Sequence, residues 1–331
     1  MTLRRAGLGF LVGAILMAPS VASAAPALVF EPYNGTVLYA EDPDAQWFPA
    51  SLKLMTAYVT FQALKAGTVT PDTKVTCSQT AVLQAPSKLG LPVGGSITLD
   101  VALKVLIVKS ANDVAVMIAE AVAGSQDAFI ARMNEATQHL GMTRTHFTNV
   151  SGLPDERQVT TARDLAKLAR AIIVEFPEHA DLFSSVQVQV GKKTVRTHNS
   201  LLVSFPGADG MKTGFICESG FNVVASATRD GRKLVAVVLG EPSVASRNDR
   251  ATDLLEKGFS RYFWKSLFGT RLDGLAIQAS LNDSPAHLRD SVCGVPKAKS
   301  KIRRSVTSKL HGLDARGSDP PASAVSANEA N

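Results

Sequence analysis

Apolar positions fall into two kinds of pattern along the chain, and the change between them divides it. Near the start, Ala27–Phe30 and Thr36–Tyr39 flank Asn34-Gly35, a pair that favours the left-handed backbone of a tight hairpin turn. From Ser51 to about Arg170 the period lengthens to that of helices. Apolar residues recurring at i, i+3 and i+4 predict helices over Leu99–Lys109, Asp113–Val122, Gln126–Leu140 and Ala162–Val174. From about Val186 the period shortens again. Val186–Val190 and Thr194–Arg196 join through Gly191, and Asn222–Thr228 and Lys233–Leu239 join through Asp230-Gly231. A last amphipathic helix covers about Ser246–Phe268. The order is strands, helices, strands, helix, with no internal repeat. It predicts an α+β fold: one antiparallel sheet built from both ends of the chain, with the intervening helices as a second lobe. A cleft between sheet and lobe is where such a protein places a site.

Composition narrows the class. The chain has 331 residues, 45% of them apolar, with 16 Pro and 24 Gly, which excludes a disordered or collagen-like protein. The formal charge of +6 at first suggests an anionic partner, but its placement removes that meaning. Met1–Ala24 carries +2 and Lys297–Asn331 carries +4, so residues 25–296 sum to zero. A neutral body argues against a nucleic-acid partner.

The two ends read as addresses rather than fold. Arg4 and Arg5, an apolar run from Ala6 to about Ala18, and Ala22-Ser23-Ala24 form the three parts of a secretory signal cut after Ala24. That run is short of the roughly 20 residues a membrane span needs, so residues 25–331 are expected to be exported, soluble or peripheral. Residues 25–270 read as one domain. Residues 271–331 read as a basic, largely disordered tail, too short between Leu272 and Pro296 for a further all-β domain. Within it, Ile302, Val306, Leu310 and Leu313 recur at helical spacing among Lys297, Lys299, Lys301, Arg303, Arg304 and Lys309. Two readings stay open there: a basic helix lying peripherally on an anionic membrane, or a solvated tail. Cys77, Cys217 and Cys293 allow one disulfide and a leftover thiol, with the pairing undetermined. No cysteine or histidine spacing suggests a metal, and nothing calls for a cofactor.

Three short motifs sit at the junctions of the predicted lobes. Pro49-Ala50-Ser51-Leu52-Lys53-Leu54-Met55-Thr56 opens a helix, whose free N–H groups suit an oxyanion-forming serine. Ser110-Ala111-Asn112-Asp113 follows the helix ending near Lys109. Asp209-Gly210-Met211-Lys212-Thr213-Gly214 enters a strand ladder. Alone, each is weak: Ser110 and Asn112 could cap a helix, Lys212-Thr213-Gly214 could be an ordinary strand edge, and Asp113 reads as an exposed or capping acid. Cys217, five residues past Lys212, reads as a bland position. His146 and His198 lack the partners of a Ser-His-Asp triad and read as structural or solvent-facing.

In order, the three motifs resemble those of the serine D-alanyl-D-alanine carboxypeptidases, the low-molecular-mass penicillin-binding proteins. That family carries Ser-x-x-Lys, Ser-x-Asn and Lys-Thr-Gly. The surroundings agree in Phe147-Thr148-Asn149-Val150-Ser151-Gly152-Leu153 and Thr160-Thr161-Ala162-Arg163-Asp164-Leu165-Ala166, and the likeness covers about residues 27–268. It implies a β-lactamase/transpeptidase-like fold. It also implies removal of the terminal D-alanine of peptidoglycan pentapeptides in the periplasm or cell envelope, with β-lactams as covalent inhibitors. Ser51 would be the nucleophile and Lys53 its proton acceptor. Ser110 would relay a proton and Asn112 would hold the substrate amide. The N–H groups of Ser51 and Phe215 would form the oxyanion hole. Lys212 and Thr213, next to Gly214, would hold the terminal carboxylate, with Arg247 preferred to nearby Arg250. A serine β-lactamase is disfavoured, because Thr148 and Asn149 stand where the class A enzymes carry their deacylating glutamate.

The first motif is one residue short. Lys53 stands at i+2 from Ser51, and Leu54 stands at i+3. On a regular helix i+2 lies about 200° around and i+3 about 300°, so Lys53 would point away from Ser51 unless the first turn is distorted. If the family's register instead holds from Lys53 onward, Ala50 takes the nucleophile's place. The alternative to an active enzyme is a catalytically impaired, cell-wall-binding homologue.

Overall fold

The structure is a computed structural model that describes residues 25–49, 53–277 and 284–294. The signal segment, Ser51 and the basic stretch from Lys297 lie outside the described residues. Strands β1 (Ala27–Phe30) and β2 (Val37–Glu41) open the chain. Helix α1 (Leu54–Lys65) leads to β3 (Lys74–Thr76), α2 (Gln79–Val82) and β4 (Ser96–Thr98). Helices α3 (Leu99–Val108), α4 (Asn112–Ala123), α5 (Gln126–His139), α6 (Ala162–Glu175) and α7 (Ala180–Ser184) follow. Then come β5 (Gln187–Val190), β6 (Lys193–Arg196), α8 (Leu201–Ser204), β7 (Ala208–Ile216), β8 (Gly220–Arg229) and β9 (Arg232–Glu241). Helix α9 (Val244–Phe268) and the single turn α10 (Arg289–Val292) end the described chain.

One antiparallel sheet, ordered β2-β1-β9-β8-β7, joins the two ends of the sequence as the periodicity predicts. Both of its faces are covered. On β9, Leu234, Ala236 and Val238 face α9 with Ala251, Leu254 and Leu255, whereas Val235, Val237 and Leu239 face the helical lobe. Burial on two faces explains why Lys233–Leu239 reads as a continuous apolar run rather than an alternating one. The β8–β9 turn uses Asp230 and Gly231, both at positive φ, as its sequence requires.

Two sequence expectations change. Asn34-Gly35 does not make a two-residue turn; only Gly35 is left-handed, within a loop spanning Glu31–Thr36. The Glu31 carboxylate accepts from the Asn34 N–H at 2.7 Å, and the Asn34 side-chain oxygen accepts from the Thr36 N–H at 2.8 Å. These side chains, rather than a tight turn, set the hairpin. The domain also continues beyond residue 270, where the tail reading began. Thr36 bridges Arg271, and the buried Leu272 donates its N–H to the Gly35 carbonyl. Further on, Cys293 is bonded to Cys217, leaving Cys77 as a buried free thiol. Among the described residues no single helix is long and apolar enough to cross a membrane.

A buried ion pair ties the return segment to helix α6 and to the loop after β2. Arg163 on α6 pairs with Asp44 at 2.6 Å and donates to the carbonyls of Leu275 and Ala276. Breaking a buried pair strands a charge, so Asp44→Ala should lower stability by about 3–5 kcal/mol in urea unfolding. Adding Arg163→Met should recover part of the loss, because it removes the stranded guanidinium.

Candidate functional site

The second and third motifs meet at one cleft of about 730 Å³ between the edge strand β7 and the start of α4. Ser110, Asn112, Thr213, Gly214, Phe215 and Arg247 all line it. Each arrives there for a local reason. Helix α3 stops at Val108, and Ser110 takes a left-handed backbone (φ 58°) that turns the chain into α4. Neither Ser110 nor Asn112 is a helix cap: the cap position is Ala111, and Asn112 is the first helical residue. The Asn112 side-chain N–H donates to the Ala85 carbonyl at 2.9 Å, which leaves its oxygen facing the site. Asp113 is buried rather than exposed. Its carboxylate accepts the N–H groups of Leu89, Gly90 and Val114, which pins the loop before the cleft.

Lys53 supplies the central contact. Its ammonium donates to Asn112 Oδ1 at 2.7 Å and to Ser110 Oγ at 3.4 Å, joining the first motif to the second. The backbone explains how a shortened motif achieves this. Helix α1 begins only at Leu54, not near Ser51, and Lys53 stands before it at φ 44°. A left-handed lysine costs about 1–2 kcal/mol, and it sets the direction from which Lys53 enters the site. The approach is fixed on the other side by Trp47, which exchanges backbone hydrogen bonds with Thr160 and donates its indole N–H to Ser219 O. Its ring needs Gly240, where a Cβ would fall 2.4 Å away. Lys53 stands outside helix α1, so regular-helix geometry does not apply at Lys53 itself, and Ala50, Ser51 and Leu52 lie outside the described residues.

Strand β7 carries the third motif along the sheet edge, with Lys212 paired to Val224. Val224 faces the helical lobe, so Lys212 is turned inward, where its ammonium donates to the Thr213 carbonyl at 2.7 Å. Phe215 instead is partly exposed and stacks on Phe221. On α9, Arg247 is buried, held by Asn248 Oδ1 at 2.8 Å and lining the cleft. Arg250 is occupied elsewhere by Glu241 and Glu41. The geometry thus separates two arginines that the sequence could not.

Three cations are stripped of water here. Burial pushes the Lys53 ammonium well below its ordinary pKa, helped by the Lys212 charge and opposed by Asp113. Burial and then the Arg247 charge lower Lys212 to about 7. Burial alone brings Arg247 to about 10. A neutral Lys53 can accept a proton, and Lys212 with Arg247 can bind a carboxylate. No cluster of metal-ligating side chains occurs among the described residues.

Some cleft residues carry no sequence signal. His198 lines the cleft, with its pKa lowered by burial and by Lys212. Glu218 and Arg289 lie at its other end, and only the flanking Cys217 and Cys293 hint at them. Asn149 organises its loop, its side-chain oxygen accepting from the N–H groups of Gly152 and Leu153.

Comparison with known proteins gives a consistent picture. The family described as D-alanyl-D-alanine carboxypeptidase matches residues 15–243. The D-alanyl-D-alanine carboxypeptidase DacC of Escherichia coli (strain K12) is 37% identical over 254 residues, 74% of this chain and 63% of that protein. The chain therefore spans about three fifths of the length of that relative. Penicillin binding protein 6B from Escherichia coli has a TM-score of 0.68 and 35% identity, covering 73% of this chain and 79% of that one. Penicillin-Binding Protein D2 from Listeria monocytogenes, solved in a cefotaxime-bound form, has a TM-score of 0.64 and 31% identity, covering 72% and 97%. The α+β architecture is that of the penicillin-binding, transpeptidase-like proteins.

The two buried lysines predict opposite limbs in the pH profile of kcat/KM for a peptide ending in D-Ala-D-Ala. A base at Lys53 would have to be neutral, so kcat/KM should rise with pH through a value well below the ordinary lysine range. A carboxylate-binding Lys212 would have to be charged, so kcat/KM should fall above about 7. Arg247→Ala removes a cation that depresses Lys212, so the alkaline limb should move upward even as KM rises.

Proposed function

Because the chain belongs to the D-alanyl-D-alanine carboxypeptidase family, we propose that it removes the terminal D-alanine of peptidoglycan stem peptides as an exported serine enzyme. The reaction runs through an acyl-enzyme. Ser51 Oγ attacks the carbonyl carbon of the penultimate D-alanine, and Lys53 Nζ takes the hydroxyl proton. The N–H groups of Ser51 and Phe215 stabilise the oxyanion. As the amide bond breaks, the proton passes through Lys53 and Ser110 to the amine of the departing D-alanine. Water then hydrolyses the ester, giving back Ser51 and the shortened peptide. Lys212, Thr213 and Arg247 hold the terminal carboxylate, and Asn112 orients the substrate amide.

One observation carries this reading: the Lys53 ammonium bonded to Asn112 and Ser110 in the cleft that Arg247 lines, with Lys212 close enough for its charge to depress the Lys53 pKa. A protein that merely kept the fold would have no reason to desolvate these cations. Export rests on the signal-like Met1–Ala24, and β-lactam sensitivity on the cefotaxime-bound relative. The basic stretch after Lys297 fits peripheral attachment to an anionic membrane.

A catalytically impaired, cell-wall-binding homologue is the second reading, favoured by the left-handed Lys53 outside helix α1. Release of D-alanine from a synthetic pentapeptide, abolished by Ser51→Ala, supports the enzyme; no release from folded protein contradicts it. Inserting one threonine between Leu52 and Lys53 restores the family's three-residue step. An impaired protein should gain about 10²–10⁴-fold in acylation from a repositioned base. An active one should gain less than about tenfold.

A further inference from the structure

The cleft ends in a charged pair that the proposed reaction does not use. Arg289 donates Nε–H to Glu218 Oε1 at 3.0 Å, and its Nη2 reaches the same oxygen. The two differ in exposure: the Arg289 side chain is 61% exposed and that of Glu218 11%. The carboxylate is therefore a buried anchor, and the guanidinium is presented to the cleft. Arg has five N–H donors, so most of this fork remains available. Among the described residues, Glu218 Oε2 is buried without a hydrogen-bond partner.

The segment carrying Arg289 is fastened in place. Cys293 is bonded to Cys217, directly beside Glu218, across a separation of 76 residues. The Leu288 N–H donates to the Glu218 carbonyl at 2.7 Å, and His287 packs edge-on against Phe48. Four residues from the crosslink, Arg289 loses much of the freedom it would have on a loose terminus, and preorganisation of this kind favours binding.

Glu218 lies in the turn just past the end of β7 at Ile216, and that place defines what the pair can touch. Glu218 follows Lys212 by six residues, which extended backbone converts to at most about 20 Å. A peptide with its terminal carboxylate at Lys212 and Arg247 reaches that far with about five or six residues.

We propose that Arg289, set on Glu218 and clamped by Cys217–Cys293, is a specificity-determining subsite for a carboxylate carried several residues before the scissile bond. It rests on the carboxypeptidase reading and adds the substrate class: peptides acidic upstream of D-Ala-D-Ala. Glu218 takes the Nε/Nη2 edge of Arg289 and fixes its direction, leaving the Nη1/Nη2 end to meet a substrate carboxylate.

Paired peptides ending in D-Ala-D-Ala, with Glu or Gln placed three to six residues before the scissile bond, test it. At one position Glu should be preferred over Gln by about tenfold in kcat/KM. Arg289→Ala should shrink that preference to within about twofold, Arg289→Lys should keep part of it, and Cys217→Ser/Cys293→Ser should weaken it. Calorimetric binding of the same peptides to Ser51→Ala reads the subsite without turnover. A Glu preference in binding with no D-alanine release would overturn the function and leave the subsite standing. No preference at any position, or one that survives Arg289→Ala in protein of native thermal stability, overturns the subsite. A preference untouched by the double serine variant overturns the clamp.

Discussion

Lys53, Lys212 and Arg247 are buried, and among the described residues their hydrogen bonds go to neutral oxygens. Burying an ammonium costs several kcal/mol unless it is paired or becomes neutral. Here both outcomes are divided among the groups. Lys53 is pushed towards neutrality, which makes it a base, while Lys212 and Arg247 leave positive charge for an incoming carboxylate to satisfy.

That arrangement needs rigid support on both sides, and the fold gives it. The sheet is covered by α9 on one face and by the helical lobe on the other, so β7 is held as a firm edge. Opposite it, the Asp113 carboxylate and the Asn112 amide fix the loop at Ala85–Gly90, so that Asn112 Oδ1 is the oxygen offered to Lys53. The strain at Lys53 and Ser110, both left-handed, is concentrated where those two supports meet.

Much of this was legible beforehand. The strand at Lys233–Leu239 and the helices from Leu99 to Glu175 follow from periodicity, because long regular elements repeat one signal many times. Ser110, Asn112 and Lys212 sit in recognisable motifs, whereas Arg247 is preferred to Arg250 only through the family resemblance. What stayed hidden depends on contacts distant in sequence. Asp113 looks like a helix-end acid until the loop at Leu89 folds over it. Arg289 looks like part of a charged tail until Cys293 meets Cys217. The helix start at Leu54 could not be read either, since a one-residue deletion can be absorbed by a changed face or by a strained backbone, and only the packed structure selects between them.

The claim on which the chemistry turns is that Lys53, despite its shortened spacing, serves Ser51. Exposure of the protein to benzylpenicillin, followed by proteolysis and mass spectrometry of the peptides, tests it most directly. An adduct on the peptide containing Ser51, formed in wild type and lost in Lys53→Ala, is the predicted result. An adduct on another residue, or one that forms equally without the Lys53 ammonium, would contradict it.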